Sequence, residues 1–286
     1  ILEVLPDSGV DRWSFERLRG VPPSGEIVLD LHDVTARRGE TVAVNGIDFV
    51  FLRPRDIALY VGKGVVDLGI TGRDLALDSG VEVAELLPLG IGKSRFCFAA
   101  PKGKFSDIRQ FDHLRIACSY PVLLKSKLDE IGMDCPIVRL EGAVEISIRL
   151  GVADAIADVV ESGTTLREAG LETVGMPLLE SEALLIGRSA QIAENECVRR
   201  LIGRIRGILL ARSYLMVEYD VPRRDLDACC RVTPGIEAPT VSPLANPEWV
   251  AVKAMVLRSD CNRIMDELYA LGARGIITTD IRSCRL

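Results

Sequence analysis

The sequence has only two histidines, His32 and His113, in 286 residues. None of its eight cysteines forms a Cys-x-x-Cys pair, so the usual histidine- and cysteine-based metal sites are excluded. No apolar run reaches the roughly 18 residues of a membrane span, and no signal-peptide pattern is visible. We therefore expect a cytoplasmic protein with no membrane partner, whose cysteines are buried reduced thiols.

A long basic run is also absent, and the net charge is -6. Both features argue against binding of nucleic acid. The chain is 48% hydrophobic and 27% charged, which is ordinary for a globular protein. Its length of 286 residues is sufficient for two or three domains.

The stretch at 151–170 predicts a strand over residues 152–160, a turn at 162–165 and a helix that begins near Leu166. Backbone N–H groups point outward at such a helix N-terminus, where the helix dipole also favours anions. Asp158 and Glu161 lie beside this turn, and carboxylates suit a phosphate site only if they also bind sugar hydroxyls or share a metal ion. A phosphorylated sugar is the ligand this pattern favours; an ordinary Ser/Thr helix cap is the alternative.

Strands and helices alternate over most of the chain. A second strand–turn–helix junction comprises a strand over 66–70 and a turn over 71–74. Helices are predicted over 54–61, 122–130, 143–150 and 195–212, and Asn45-Gly46 is typical of a hairpin turn. This alternation predicts an α/β fold with a largely parallel sheet.

The last part of the chain has a different pattern. Strands are predicted over 214–221, 240–242, 249–257 and 275–280, and helices over 222–230 and 260–271. The order β-α-β-β-α-β indicates a ferredoxin-like domain of about 75 residues.

Four motifs follow one another along the chain, in addition to the stretch at 151–170. They are Phe-Leu-Arg-Pro-Arg-Asp-Ile at 51–57, Asp-Leu-Gly-Ile-Thr-Gly-Arg-Asp at 67–74, Arg-Ile-Ala-Cys-Ser-Tyr-Pro at 115–121 and Glu-Gly-Ala-Val-Glu at 141–145. In this order they resemble ATP phosphoribosyltransferase, the first enzyme of histidine biosynthesis. The tail resembles the regulatory domain of the long form of that enzyme.

The resemblance implies an α/β fold with a two-lobed catalytic part, similar to periplasmic binding proteins, and a C-terminal ferredoxin-like regulatory domain. Catalytic lobe I would comprise residues 1–93 and 184–212. Catalytic lobe II, with the phosphoribosyl pyrophosphate site, would comprise 94–183. The histidine-binding regulatory domain would comprise 213–286.

The resemblance also implies the reaction, in which phosphoribosyl pyrophosphate transfers its phosphoribosyl group to N1 of ATP with Mg²⁺ and releases pyrophosphate. Two sets of residues would line the cleft. The phosphoribosyl pyrophosphate set is Asp158, Glu161, Ser162, Gly163, Thr164, Thr165, Glu141 and Glu145, and the ATP set is Arg53, Asp74, Ser94 and Tyr120. The metal ligands are not identified, because Mg²⁺ takes many of its oxygen ligands from substrate phosphates.

Histidine is the inhibitor that the resemblance implies for the tail. The segment 233–240 resembles the family's histidine-binding segment, and Asp220, Ile236 and Thr240 are the candidate contacts. In the family, dimers assemble into hexamers, so a homodimer and a homohexamer are expected here.

The N-terminal segment departs from the family pattern. The family turn Pro-(Asn/Ser)-Lys-Gly reads Pro-Asp-Ser-Gly at residues 6–9, and residues 11–39 align poorly. Arg12 or Arg19 could replace the missing charge, as could Lys93 and Arg95 in the glycine-rich loop. Two other functions stay open: a catalytically weak ligand-binding or sensor protein on the same scaffold, and a phosphoribosyltransferase of nucleotide salvage.

Overall fold

The computed structural model describes residues 29–31, 36–38, 41–44 and 49–285, with side chains from Val50 onward. The turn at 6–9 and the Asn45-Gly46 hairpin turn lie outside these residues. Contacts divide the chain between Cys197 and Val198 into two compact units.

Sixteen strands and eight α-helices are formed by the described residues. The strands are β1 (Leu29–Leu31), β2 (Ala36–Arg38), β3 (Thr41–Val44), β4 (Phe49–Phe51), β5 (Leu68–Gly72), β6 (Ala84–Pro88), β7 (Ser94–Pro101), β8 (Ile116–Cys118), β9 (Ile137–Arg139), β10 (Ala155–Val160), β11 (Leu171–Ser181), β12 (Ala183–Gly187), β13 (Tyr214–Pro222), β14 (Thr240–Pro243), β15 (Trp249–Leu257) and β16 (Arg274–Asp280). The helices are α1 (Pro54–Gly62), α2 (Arg73–Asp78), α3 (Pro121–Ile131), α4 (Ile146–Arg149), α5 (Thr164–Glu168), α6 (Glu196–Ser213), α7 (Leu226–Val232) and α8 (Cys261–Ala270).

The first unit contains two lobes, each built on its own sheet. Lobe I has the strand order β5-β12-β6 with helices α1 and α2, and lobe II has the order β11-β7-β10-β8-β9 with helices α3, α4 and α5. A single residue, Glu182, separates β11 of lobe II from β12 of lobe I. Two short antiparallel pairs, β1 with β4 and β2 with β3, are formed before lobe I.

The sheet of lobe I has only antiparallel pairs and the sheet of lobe II is mixed, so the prediction of a largely parallel sheet is wrong for the strand pairs. Parallel pairing is limited to β10 with β8 and β8 with β9, whereas β7 and β12 each run antiparallel to both of their neighbours. The reason is the connectivity. The parallel strands β8 and β9 are joined by the crossover helix α3, whereas β7 and β12 each enter their sheet from a strand of the other lobe, β6 and β11, without such a crossover.

Lobe II is held by an aromatic and aliphatic core. Phe98 and Phe111 pack edge to face at 5.3 Å between ring centroids, and Phe105 packs on Phe111 at 4.9 Å. Helix α3 begins with Pro121 at its first position and buries Leu123, Leu124 and Leu128 against the sheet. This packing fixes the N-terminus of α3 next to the end of β8.

The second unit confirms the ferredoxin-like prediction. Its elements run in the order β13-α7-β14-β15-α8-β16, and its four antiparallel strands have the spatial order β14-β15-β13-β16. Burial alternates residue by residue along β13 and β15. One face of the sheet therefore packs against the core with α7 and α8, and the other face carries more exposed side chains.

Several predicted boundaries were wrong for local reasons. The helix predicted over 143–150 is only α4, because Gly142 and Ala143 have φ angles of 89° and 49° and interrupt a helix there. The strand predicted over 152–160 begins at Ala155. The helix predicted over 222–230 starts as a 3-10 turn, Arg223–Asp225, before α7.

The eight cysteines are all free thiols, and five of them are buried. Among the helices of the described residues, none combines the length and apolar character that spanning a bilayer requires.

Candidate active site

Asp158 lies near the end of β10, opposite Cys97 of β7. Its carboxylate accepts a hydrogen bond from the backbone N–H of Val159 at 2.8 Å. Burial raises the pKa of Asp158; the hydrogen bond from Val159 lowers it, and the negative charge of Glu145 raises it again. The Asp158 carboxylate is therefore half-buried and lies within electrostatic range of Glu145. The sequence pattern predicts that sugar hydroxyls bind at this position.

The turn after β10 presents hydroxyl groups to solvent. Gly163 adopts a φ angle of 71° at the N-cap of α5, a conformation that glycine takes without strain. The hydroxyls of Ser162 and Thr164 lie 3.0 Å apart, and Thr164 and Thr165 are exposed. The N-cap residue of α5 is Gly163, which has no side chain, and the Ser162 hydroxyl accepts a hydrogen bond from the Thr164 N–H at 3.4 Å. With only five residues, α5 contributes little dipole.

Arg167 is a residue of this turn that the sequence analysis missed. Its guanidinium donates to the Ser162 carbonyl oxygen at 3.3 Å and to the Thr164 hydroxyl at 3.1 Å. Residues three apart on a helix are neighbours, so the spacing between Thr164 and Arg167 carried the signal. Arg167 supplies a positive charge next to the hydroxyls, which a phosphate group requires.

The second predicted junction, between β5 and α2, is built around Asp74. This residue is 6% exposed, and the hydroxyl of Ser181 donates to its Oδ1 at 2.7 Å while accepting from its backbone N–H at 3.1 Å. Thr71 donates its hydroxyl to the Pro54 carbonyl at 2.7 Å, which ties the start of α1 to the junction. Arg53 is exposed at the N-cap of α1.

Tyr120 lies at the N-terminus of α3 in lobe II. Its ring packs edge to face on Phe96 at 5.9 Å. Burial raises the pKa of the Tyr120 hydroxyl, and the negative charges of Asp74 and Asp158 raise it further. One tyrosine therefore lies within electrostatic range of the key carboxylate of each lobe.

A cavity of about 490 Å³ contains another predicted site residue from each set, Ser94 and Glu161. It is lined by three basic, three acidic and two hydroxyl side chains: Arg73, Lys93, Arg95, Glu161, Glu180, Glu182, Ser94 and Ser181. Arg73 lies 3.1 Å from Glu85 and 3.7 Å from Glu182, and the hydrogen bond to Glu85 raises its pKa although burial opposes this. Arg73, Glu180 and Glu182 were not predicted, because they meet at the crossing from β11 to β12.

Glu141 and Glu145 flank the interrupted start of α4. Glu141 is exposed, and the next residue, Gly142, donates its N–H to the Ser119 hydroxyl at 3.3 Å. Glu145 is the N-cap of α4 and is near enough to Asp158 to affect its pKa. Of these two carboxylates, Glu145 lies within electrostatic range of Asp158, and the cavity holds three cations together with three carboxylates.

In the second unit, the candidate histidine contacts fall on one sheet face and one loop. Thr240 of β14 pairs with Lys253 of β15, which in turn pairs with Glu218 of β13. Asp220 lies two residues after Glu218 and so on the same face of the sheet as Thr240, with β15 between them. That face is opposite to the buried residues Val217, Tyr219 and Val221. Ile236 is 40% exposed in the loop before β14.

That loop is anchored by a buried hydrogen-bond chain. The Tyr219 hydroxyl lies 2.7 Å from the Thr233 hydroxyl, which donates to the Cys229 carbonyl at 3.1 Å. Gly235 has a φ angle of 69°, and a Cβ atom there would lie 3.0 Å from the Ala238 carbonyl oxygen. The loop is consequently a tight turn that depends on both Thr233 and Gly235.

Among the residues with described side chains, no group of three or more His, Cys, Asp or Glu could hold a metal ion. The nearby carboxylates Asp158 and Glu145 are oxygen donors, and Mg²⁺ prefers such ligands while keeping several from water and phosphates. These residues fit Mg²⁺ bound largely by a substrate, and do not fit a fully protein-held metal.

Two α/β lobes, joined at Glu182 and through residues 89–93, with a strand-to-helix junction in each, define a two-lobed α/β protein. The turn predicted over 71–74 is not formed, because β5 ends at Gly72 and α2 begins at Arg73. The family model for ATP phosphoribosyltransferase matches residues 53–207 of this chain. The model described as HisG, C-terminal domain, matches residues 211–283. The chain belongs to the ATP phosphoribosyltransferase family, transferases of the first step of histidine biosynthesis, and its C-terminal domain identifies the long form.

Curated relatives agree with this assignment. An ATP phosphoribosyltransferase from Salinibacter ruber is 51% identical over 255 residues, which are 87% of this chain and 90% of the relative. One from Paenarthrobacter aurescens is 54% identical over 246 residues, which are 85% and 86% of the two chains.

A solved structure supports the fold. A chain of the ATP phosphoribosyl transferase (HisG:HisZ) complex from Thermotoga maritima has a TM-score of 0.53 at 24% identity and covers 64% of this chain and 88% of its own. At that identity the likeness concerns the fold alone.

Proposed function

We propose that this chain transfers the phosphoribosyl group of phosphoribosyl pyrophosphate to N1 of ATP, releases pyrophosphate, and is inhibited by histidine. The observation that supports the proposal is the family match over residues 53–207, together with a strand-to-helix junction in each lobe, one at Asp74 and one after Asp158. A transferase of two substrates needs two half-sites that meet at the reacting atoms.

The donor half-site is assigned to the junction after β10. Asp158 accepts hydrogen bonds from the ribose hydroxyls, and the 5-phosphate binds the turn from Glu161 to Thr165. The exposed hydroxyls of Thr164 and Thr165 and the guanidinium of Arg167 donate to the phosphate oxygens.

The acceptor half-site is assigned to lobe I and the cavity. Asp74, held by Ser181, faces the adenine side, and Arg53 offers charge to phosphates from the start of α1. Lys93 and Arg95 line the cavity with Ser94, so a triphosphate there would meet cations on the glycine-rich loop.

The chemistry fits this division. C1 of the ribose becomes oxocarbenium-like as pyrophosphate leaves, so positioning and charge contribute more than a strong nucleophile. Asp158, Glu145 and Glu141 surround the sugar and the departing group with carboxylate oxygens. When bound, Mg²⁺ neutralises the charge that develops on the departing pyrophosphate.

Histidine binding is assigned to the second unit, at Asp220, Ile236 and Thr240. Inhibition requires that the ligand bind two joint states of the protein with different affinity. A homodimer that assembles into a homohexamer supplies such states by the symmetry of its interfaces. We also propose a cytoplasmic location and the domain limits 1–93 with 184–212, 94–183 and 213–286.

The test is product formation from ATP and phosphoribosyl pyrophosphate with Mg²⁺, measured with and without histidine. We expect turnover that histidine suppresses. Binding of both substrates without turnover would favour a sensor on the same scaffold. Transfer to a free purine or pyrimidine base, but not to ATP, would favour nucleotide salvage.

A further inference from the structure

A carboxylate of lobe I caps a helix of lobe II. Asp78, the last residue of α2, is 8% exposed, and its Oδ1 accepts hydrogen bonds from the backbone N–H groups of Val122 and Leu123 at 2.9 and 3.2 Å. These groups belong to the first turn of the eleven-residue helix α3, which has no cap from its own Tyr120. A negative charge at this position stabilises the helix through hydrogen bonds and the dipole.

The other carboxylate oxygen of Asp78 binds Arg55. Nη1 of Arg55 lies 2.9 Å from Asp78 Oδ2 and donates to the Ser119 carbonyl oxygen at 2.9 Å. Arg55 belongs to α1 of lobe I and Ser119 follows β8 of lobe II. One side chain thus bridges the two lobes and supports the carboxylate that caps α3.

Arg55 also contacts the tyrosine next to Ser119. Its guanidinium carbon lies 5.0 Å from the centroid of the Tyr120 ring, within cation–π range. Phe96 packs on the same ring edge to face. The Tyr120 ring is therefore held between a cation from lobe I and an aromatic side chain of lobe II.

We propose that Arg55 and Asp78 form an interlobe latch whose function is to position Tyr120 and the N-terminus of α3 for binding of the nucleotide in the closed cleft. Both latch side chains belong to lobe I and their partners belong to lobe II, so opening the cleft breaks the contacts between them. Separation of the lobes would leave two N–H groups of α3 without the Asp78 acceptor, and Arg55 without Ser119 and the Tyr120 ring. A nucleotide that binds the closed form gains from the latch, and the latch shifts the population of the lobes towards that form.

The kinetic part of this inference rests on the proposed function, and the geometric part does not. The geometric part can be measured by fluorine NMR after 3-fluorotyrosine is incorporated at the five tyrosines. Tyr120→Phe removes one resonance and so assigns it. The shift of that resonance reports the surroundings of the Tyr120 ring whether or not the protein turns over.

Two variants test Arg55 and Asp78 of the latch separately. Arg55→Met removes the bridge and keeps the length of the side chain. Asp78→Asn keeps an oxygen that can accept from Val122 and Leu123, but its amide group cannot pair with Arg55. Arg115→Met is the matched control, because Arg115 pairs with Asp154 at 3.0 Å wholly within lobe II.

We expect Arg55→Met and Asp78→Asn to move the Tyr120 resonance and Arg115→Met to leave it in place. The Michaelis constant for ATP should rise by about threefold to tenfold in the two latch variants, with kcat changing by less than about twofold, as for lost uniform binding. Arg55→Lys, which restores the charge but not the planar guanidinium over the Tyr120 ring, should recover part of the affinity.

Other outcomes have distinct meanings. If the wild-type protein does not turn over ATP, the proposed function is overturned. The fluorine resonance of Tyr120 still tests the latch in that case. An unmoved resonance and an unchanged Michaelis constant in both variants would overturn the latch, even if their melting temperatures fell. A loss confined to kcat would also overturn it, because the proposed action is on binding.

Discussion

The hydroxyl of Ser181 donates a hydrogen bond to Asp74 at 2.7 Å and accepts one from its backbone N–H at 3.1 Å. Ser181 is the last residue of β11 in lobe II, and Asp74 lies in the first turn of α2 in lobe I. Both residues are buried, so this reciprocal pair fixes the Asp74 carboxylate at the crossing between the lobes.

We first predict that Ser181→Ala lowers the free energy of unfolding by ~1–3 kcal/mol, because a buried carboxylate and an N–H group lose their partner. The Michaelis constant for ATP should rise as well, since Asp74 is assigned to the acceptor half-site. Thermal unfolding and steady-state kinetics provide the measurements. Ser106→Ala, at an exposed serine, is the control and should change stability by less than about 0.5 kcal/mol.

The second prediction concerns the donor half-site. Asp158→Ala should weaken the binding of phosphoribosyl pyrophosphate much more than that of histidine, because its carboxylate is assigned to the ribose hydroxyls. Isothermal titration with each ligand separates the two effects. Equal loss of both affinities would mean that Asp158 has a structural role only.

The third prediction follows from the raised pKa of the Asp158 carboxyl. The folded protein binds the proton more tightly than the unfolded chain, so this group destabilises the fold increasingly as pH rises through the ordinary pKa of aspartate and beyond. Asp158→Asn keeps an acceptor for the Val159 N–H and removes the buried charge. Its melting temperature should exceed that of the wild type at pH 7, and the difference should shrink as pH falls towards 4.

A melting temperature of Asp158→Asn that is lower than that of the wild type at every pH would contradict this prediction. Glu161→Gln is the matched control, because Glu161 is exposed and no comparable burial acts on it. Its effect on the melting temperature should be small and should not depend on pH in the same way.

Fourth, Lys93→Ser with Arg95→Ser should raise the Michaelis constant for ATP by about twofold to fivefold, the range expected for solvent-exposed charges worth ~0.5–1 kcal/mol. The effect should diminish at high salt. Lys102→Ser removes an exposed lysine outside the cavity and should leave the constant unchanged. If the double variant behaved like the control, the cavity cations would have no part in ATP binding.

Fifth, Thr233→Val should impair inhibition by histidine while the uninhibited rate is preserved. The substitution leaves the buried Tyr219 hydroxyl without its partner, which costs ~1–3 kcal/mol and loosens the loop that carries Ile236. Tyr219→Phe is the milder companion, because Thr233 still donates to the Cys229 carbonyl. The measurement is the reaction rate at increasing histidine concentrations. Unaltered inhibition in both variants would show that this loop is not part of the proposed site.

The sequence by itself determined the fold class, the family and the order of elements. Periodicity of apolar residues and the turn residues between them are local signals, so helices such as α3 and α6 and the βαββαβ tail could be predicted. The motif around Asp158 predicted a strand–turn–helix junction. The strand begins three residues later than predicted, at Ala155, and the helix begins two residues earlier, at Thr164.

Only the tertiary structure decided which side chains meet. Arg55 and Asp78 are 23 residues apart and Ser181 and Asp74 are 107 apart, so nothing in their local sequence links them. Packing of α1 against α2 brings Arg55 to Asp78, and the crossing at Glu182 brings Ser181 to Asp74; neither follows from local propensity. The sequence marked Asp158 and its turn, where the spacing also held a signal for Arg167, and the packing of whole elements added Arg73 and the contacts of Arg55 and Asp78 with lobe II.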